Sequence, residues 1–285
     1  MATQPELFLE ADAHTGEGPV VDDNYLHWVD IPAGLIYRTD LATVETASVN
    51  IGTSIGAAVP LDSKDGYAVA YEDGFGFVED GALSPIDTFL SDPNYRMNDA
   101  KCDARGRLWA GSCNNDFTAG LGKLHRWDGR SSNKVMVENL ALPNGLGWNR
   151  DNTLMYLADS ISQKILVSDF DLADDFVPSF REFATIDSGF PDGLAIDNEG
   201  CIWLAVWGAG RIIRISPQGK IIAEHHFPVS QASSCAFGAD GTLYVTSARK
   251  ELSESELAKQ PLAGSLFTLT TDTSGVPVSK FKGLA

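Results

Sequence analysis

Asp103-Ala104-Arg105-Gly106-Arg107-Leu108-Trp109 returns in altered form as Asp197-Asn198-Glu199-Gly200-Cys201-Ile202-Trp203. Each reads as a strand end, an Asp/Asn/Gly turn and an apolar-aromatic pair opening the next strand, the pattern of a β-hairpin. Four further copies fall at Asp23–Trp28, Asp65–Val69, Asp151–Tyr156 and Asp240–Tyr244. Measured between their last residues, the six copies are about 41, 40, 47, 47 and 41 residues apart, the spacing of stacked or radially repeated units. Strand patterning alone, repeated six times at this period, predicts an all-β, six-bladed β-propeller with four-stranded antiparallel blades around a central channel. A propeller brings residues one period apart to neighbouring positions on the channel wall.

Outward from the turns, the innermost strands read as Glu17–Val21, Ala57–Leu61, Asn98–Cys102, Asn144–Trp148, Asp192–Ile196 and Ser233–Phe237. Shorter, more polar outer strands are predicted at Thr46–Asn50, Lys134–Glu138, Phe180–Ala184 and Ile221–His226, as edges require. The one helical candidate is the charged run Ser253–Lys259. Leu7–Glu10 and Val276–Lys282 are left over, and closure of the ring is expected to draw on both termini to complete one blade. The repeat runs from Asp22 to about Phe267 without a break, so residues 1–285 are expected to form a single domain.

Apolar residues at 44% and charged residues at 21% place the chain among soluble globular proteins. The net charge of −18 disfavours nucleic acid and anionic membrane as partners. Cys102, Cys113, Cys201 and Cys235 form no CxxC pair and read as free thiols in a reducing compartment. The N-terminal stretch lacks a basic segment followed by an apolar run, and no apolar stretch reaches the length of a membrane span. The expected setting is cytoplasmic, and the expected state a monomer or weak dimer.

Five positions before the residue that ends each inner strand stand Glu17, Ala57, Asn98, Asn144, Asp192 and Ser233. Five of these six carry side-chain oxygen, and a closed ring sets equivalent positions at one height. Glu17, Asn98, Asn144 and Asp192 should therefore converge. Two carboxylates and two carboxamide oxygens make a hard-oxygen site suited to a divalent cation such as Ca²⁺, Mg²⁺ or Mn²⁺. Gly18, Gly145 and Gly193 follow three of these residues, and are expected to permit a tight turn and leave room for ion and substrate. Taken singly, Asn144-Gly145 and Asp192-Gly193 are ordinary turn dipeptides; the shared register is what argues for a site.

Four motifs in order extend the reading: Gly16-Glu17-Gly18-Pro19, Arg96-Met97-Asn98-Asp99-Ala100-Lys101, Leu142-Pro143-Asn144-Gly145-Leu146 and Phe190-Pro191-Asp192-Gly193-Leu194. With the tail from Thr246-Ser247-Ala248-Arg249-Lys250 to Phe267, they resemble the gluconolactonase/regucalcin/luciferin-regenerating-enzyme family over nearly the whole chain. The resemblance implies a six-bladed propeller that opens the ester ring of a small sugar lactone, such as a glucono-, xylono- or arabinolactone. It implies one divalent ion (Ca²⁺, Zn²⁺, Mn²⁺, Mg²⁺ or Fe²⁺) held by Glu17, Asn144 and Asp192. Arg96, Asn98 and Asp99 would hold substrate hydroxyls or lactone oxygens, with Asn98 near enough to touch the metal. Asp192 is the candidate general base, or a ligand with no proton role. The alternatives are an organophosphate or aryl-ester hydrolase on the same scaffold, and a non-catalytic cation-binding propeller.

Gly52-Thr53-Ser54-Ile55-Gly56 matches a nucleophile elbow, but a strand-like run with Pro60 follows where a helix is needed. The five histidines show no zinc spacing: His27 and His125 fall mid-strand as packed residues, and His225-His226 on an outer strand. Trp207 sits either at the pocket mouth or as a hairpin packing group.

Overall fold

The structure is a computed structural model that describes residues 4–130, 132–173 and 176–283. Five four-stranded antiparallel blades follow in chain order, each running from an inner to an outer strand. Blade I spans Gly16–Asp22 to Thr46–Asn50, blade II Ile55–Pro60 to Ala82–Thr88, and blade III Tyr95–Cys102 to Lys134–Leu140. Blade IV spans Pro143–Trp148 to Arg181–Thr185, and blade V Phe190–Ile196 to Ile221–His226. Blade VI takes three strands from the C-terminal part of the chain and its outer strand, Glu6–Leu9, from the N-terminus. The ring is thus closed by both ends, as expected.

A sheet buried on two faces needs a partner on each side, and the ring supplies it. Among the described residues there are six apolar clusters, one at each junction of neighbouring blades. Blades II and III enclose Phe75, Met97, Leu108 and Trp127, whereas blades VI and I meet over Leu26, Trp28, Tyr244 and Leu266. Each fully buried side chain of this size contributes roughly 1.5–3 kcal/mol.

The repeated turn has a specific cause. Asp103 Oδ1 accepts from the backbone N–H of Arg105 and Arg107, and Oδ2 accepts from the Trp109 indole at 2.9 Å. Asp197 does the same with Glu199, Cys201 and the Trp203 indole at 3.0 Å. One aspartate therefore closes the hairpin and anchors the aromatic residue of the following strand, which explains their fixed separation in sequence.

Two elements differ from expectation. The helix is the single turn Glu254–Leu257, shorter than Ser253–Lys259. Ala82–Thr88 joins blade II as an outer strand that the sequence pattern hides, because Pro85 breaks its alternation; an edge tolerates the missing N–H. The C-terminal segment joins no blade. It crosses the far end of the channel through bridges at Gly275–Asp197, Ser279–Cys102 and Phe281–Leu61, and stacks Phe281 on Trp127. Gly52–Gly56 leads into the strand Ile55–Pro60, which leaves no nucleophile elbow. The four cysteines are free and buried. No helix among the described residues is long and apolar enough to cross a membrane.

Candidate active site

All six inner strands break register at the same level. The shifts fall between Glu17 and Val20, Ile55 and Ala57, Met97 and Ala100, Pro143 and Leu146, Pro191 and Leu194, and Ala232 and Ser234. A bulge at this point takes residues out of the ladder and re-aims their side chains. Asn98, Asp99, Asn144 and Asp192 lie inside these breaks and Glu17 borders one. A cavity of about 270 Å³ opens there, and Glu17, Arg96, Asn98, Asp99, Asn144 and Asp192 all line it. Every site residue expected from sequence is in that one cavity.

Blade VI departs from the pattern. Ser233 donates its hydroxyl to the Gly16 carbonyl of blade I at 2.6 Å and meets Thr246 Oγ1 at 2.9 Å, so its oxygen serves the blade junction. The glycine expectation also needs correction. Gly18 does take a positive φ of 55°, but Gly145 and Gly193 do not. A Cβ on Gly193 would lie 1.9 Å from Ser234 Oγ, and one on Gly145 would lie 2.4 Å from the Asp192 carbonyl oxygen. At these two positions the next inner strand, rather than an ion or substrate, fills the space left by the missing side chain.

Burial sets the electrostatics. It pushes the Glu17 carboxyl up to about 8, with help from the neighbouring Asp99 charge. It lifts Asp99 as well, and raises Asp192 well above the ordinary range together with the Glu17 and Asp99 charges. Asp192 Oδ1 is buried with no hydrogen-bond partner. Asn144 spends its amide N–H on Ser160 Oγ at 3.2 Å. Asn98 accepts from Arg96 Nη1 at 2.7 Å and donates to the Pro143 carbonyl at 3.1 Å, which fixes its carboxamide from both ends.

A divalent cation fits this donor set. No cluster of three or more His, Cys, Asp or Glu side chains in metal-holding arrangement occurs among the described residues. The oxygens here are mixed carboxylate and carboxamide, the chemistry of a hard cation. Three buried carboxyls held above their ordinary pKa, and one carboxyl oxygen with no partner, are what a bound cation would stabilise.

A family model described as SMP-30/Gluconolactonase/LRE-like region matches residues 15–249, most of the chain and all four motifs. The chain belongs to this SMP-30/gluconolactonase family. Its relatives include regucalcin of Danio rerio, 31% identical over 98% of this chain and 98% of that protein. They also include the 6-deoxy-6-sulfogluconolactonase of Pseudomonas putida, 31% identical over 94% of this chain and 95% of that one. Regucalcin from Agrobacterium tumefaciens strain C58, a calcium-binding protein, superposes with a TM-score of 0.88 at 25% identity, covering 99% of this chain and 97% of the other.

Within this member of the SMP-30/gluconolactonase family, no histidine among the described residues lines the cavity. His27 and His125 are packed mid-strand, the latter between Ser112 Oγ and Asn133 Oδ1, and His225 stacks on Trp203. Trp207 is at the cavity wall, which decides its role in favour of the mouth. Phe117 and Lys250 were not legible as site residues. Phe117 sits in the connection between Leu108–Asn114 and Gly122–Trp127, where no periodicity speaks; Lys250 follows blade VI's second strand, where no repeat marks it as part of the cavity.

Proposed function

We propose that this chain hydrolyses the ring ester of a small sugar lactone in the channel-mouth cavity, with one divalent cation. The observation that carries the reading is Asp192 Oδ1, buried and unpartnered in a cavity shared with Glu17, Asn98 and Asn144. A buried carboxylate oxygen left without a partner costs about 1–3 kcal/mol or more, so it persists where a ligand supplies the bond. Names of relatives that act on sugar lactones support the substrate class.

Glu17, Asn144 and Asp192 would hold the cation through their oxygens. When bound, such an ion supplies Lewis acidity at the ester carbonyl. Arg96, fixed by its bonds to Asn98 and the Met97 carbonyl, presents its remaining N–H donors to the oxygen that gains charge or to ring hydroxyls. Asp99 and Asn98 accept and donate to hydroxyls. Asp192 either takes the proton of the attacking water or serves only as ligand.

The test is turnover of a panel of aldonolactones in a pH-stat, before and after chelation and after separate re-addition of Ca²⁺, Zn²⁺, Mn²⁺, Mg²⁺ and Fe²⁺. Stripping should lower kcat/KM by at least about 10²-fold, and one or more ions should restore it. Unchanged turnover after stripping refutes the metal role. No hydrolysis of any lactone with the ion restored refutes the reaction. A second reading, aryl-ester hydrolysis at the same centre, draws on the apolar wall of Ile31, Phe117, Ile161, Phe190 and Trp207. Faster turnover of phenyl acetate than of every lactone would favour it.

A further inference from the structure

Two cations meet at the cavity wall with no carboxylate oxygen in hydrogen-bond reach of either among the described residues; Asp192 acts on both, and Glu17 on Arg96, only from farther off. The Arg96 guanidinium carbon lies 5.8 Å from the centroid of the Phe117 ring, and the Lys250 ammonium lies 4.9 Å from it. All three residues line the cavity. Among the described residues Arg96 has no ion pair; its Nη1 bonds to a backbone carbonyl and a carboxamide. The carboxylate nearest Lys250 in an ion pair is Glu251, 3.9 Å away and beyond hydrogen-bond reach, with a side chain 56% exposed and therefore screened; Asp192 acts on it from farther off. The Lys250 backbone is tied down: its N–H donates to the His14 carbonyl and its own carbonyl accepts from Gln231. Burial pushes the Lys250 ammonium down, and the Arg96 charge adds to the effect. In a chain of net charge −18, two cations gathered on one ring inside a cavity are not a product of composition.

Resting on the lactonase reading, we propose that Lys250 and Arg96, gathered on the Phe117 ring, form a subsite for a second, permanently anionic group on the lactone. Phosphate, sulfonate and carboxylate share the required chemistry. An anion there relieves the repulsion between the two cations and gains charge-assisted hydrogen bonds from each. Phe117 holds the pair by cation–π contact and shields it from bulk water.

The experiment compares kcat/KM for gluconolactone with that for its 6-phosphate, its 6-sulfonate and the lactone with a C6 carboxylate. Wild-type protein should prefer at least one anionic lactone by about tenfold or more, and the arms identify which group. Lys250→Met should lower that anionic-to-neutral ratio at least about tenfold through KM, Lys250→Glu should lower it further, and Lys250→Arg should restore most of it. Raising the salt concentration should erode the preference in wild type and not in Lys250→Met. A wild-type preference for the neutral lactone overturns the proposal. So does an equal loss on both substrates in Lys250→Met, which would make Lys250 a counter-charge to Asp192. If no lactone is opened, the reaction reading fails separately; calorimetric binding of 6-phosphogluconate to wild type and Lys250→Met then decides the subsite, and equal affinity sinks it.

Discussion

Asp192 and Asp197 stand on or just past one inner strand, both buried, and their surroundings are opposite. At the far end of the channel Asp197 is saturated: Oδ1 accepts two backbone N–H groups, and Oδ2 accepts from the Trp203 indole and from Arg214 at 2.6 Å. At the mouth Asp192 keeps one oxygen with no partner, and burial, with the neighbouring carboxylates, raises its pKa. On blade III the contrast is weaker: Asp103 is saturated in the same way as Asp197, whereas Asp99 accepts the Ala100 N–H and is raised by burial. The inner strands of blades III and V thus have a structural end, where an aspartate's acceptors are filled within the fold, and an open end, where carboxyls face the cavity. Folding stability is drawn from the first and is withheld at the second, as expected of a binding centre.

Asp192→Asn should have the largest effect. Loss of the charge should reduce kcat/KM on the preferred lactone by at least about 10³-fold and abolish cation binding by calorimetry, with no fall in the urea midpoint. Retained turnover in this variant would remove the distinction between the two ends. The converse substitution, Asp197→Asn, strips a buried partner from Arg214 and Trp203 and should cost about 3–5 kcal/mol in urea unfolding. The folded fraction of Asp197→Asn should keep its kcat/KM within about threefold, because the two sites share no partner. If it loses activity as completely as Asp192→Asn, the ends are coupled and the contrast fails.

The structural end was the more legible of the two. The hairpin turns of Asp103 and Asp197 are local, so their residues and the aromatic ones they anchor lie close in sequence and repeat visibly. The site residues were found only through that repeat: register across blades placed Glu17, Asn98, Asn144 and Asp192 together, and family motifs added Arg96 and Asp99. What stayed hidden depends on contacts between blades. Ser233 carries the right atom at the right position, yet the approach of blade I turns it into the junction. Gly145 and Gly193 look like turn residues until the next strand is seen against them. Phe117 lies in an aperiodic connection, and Pro85 masks an edge strand; neither has a local pattern to betray it.

Titration sharpens the comparison at intermediate magnitude. The Glu17 carboxyl, ordinarily near 4.5, is pushed up to about 8 in the metal-free fold. The folded chain therefore binds a proton that the unfolded chain has released between those values, and stability falls as pH rises through that window. His27 and His125, both pushed down to about 4 by burial, act oppositely between about 4 and 6.5, where stability rises with pH. Glu17→Gln isolates the first effect. Relative to wild type, metal-free Glu17→Gln should gain stability from pH 5 to pH 8 by up to about 1.4 kcal/mol per unit. Added cation should reverse the ranking by stabilising wild type alone. A difference independent of pH would show Glu17 ionised throughout, with the mouth already compensated within the fold.

The smallest effect concerns Ser233, the residue in register with Asp192 that blade VI commits to structure. Its hydroxyl bonds the Gly16 carbonyl, one residue before Glu17, across the junction that closes the ring. Ser233→Ala leaves that buried carbonyl short of a donor and should cost about 1–2 kcal/mol in urea unfolding. Backbone pairing of Gly16 with Asp30 and of Glu17 with Val29 holds the strand independently of the serine. Lactone kcat/KM should therefore change by less than about threefold, and cation affinity by as little. A loss of cation affinity comparable to that of Glu17→Gln would mean that the blade VI hydroxyl positions Glu17. In that case the sixth blade would support the open end indirectly, and the division between reserved and saturated acceptors would have to be redrawn at the closure of the ring.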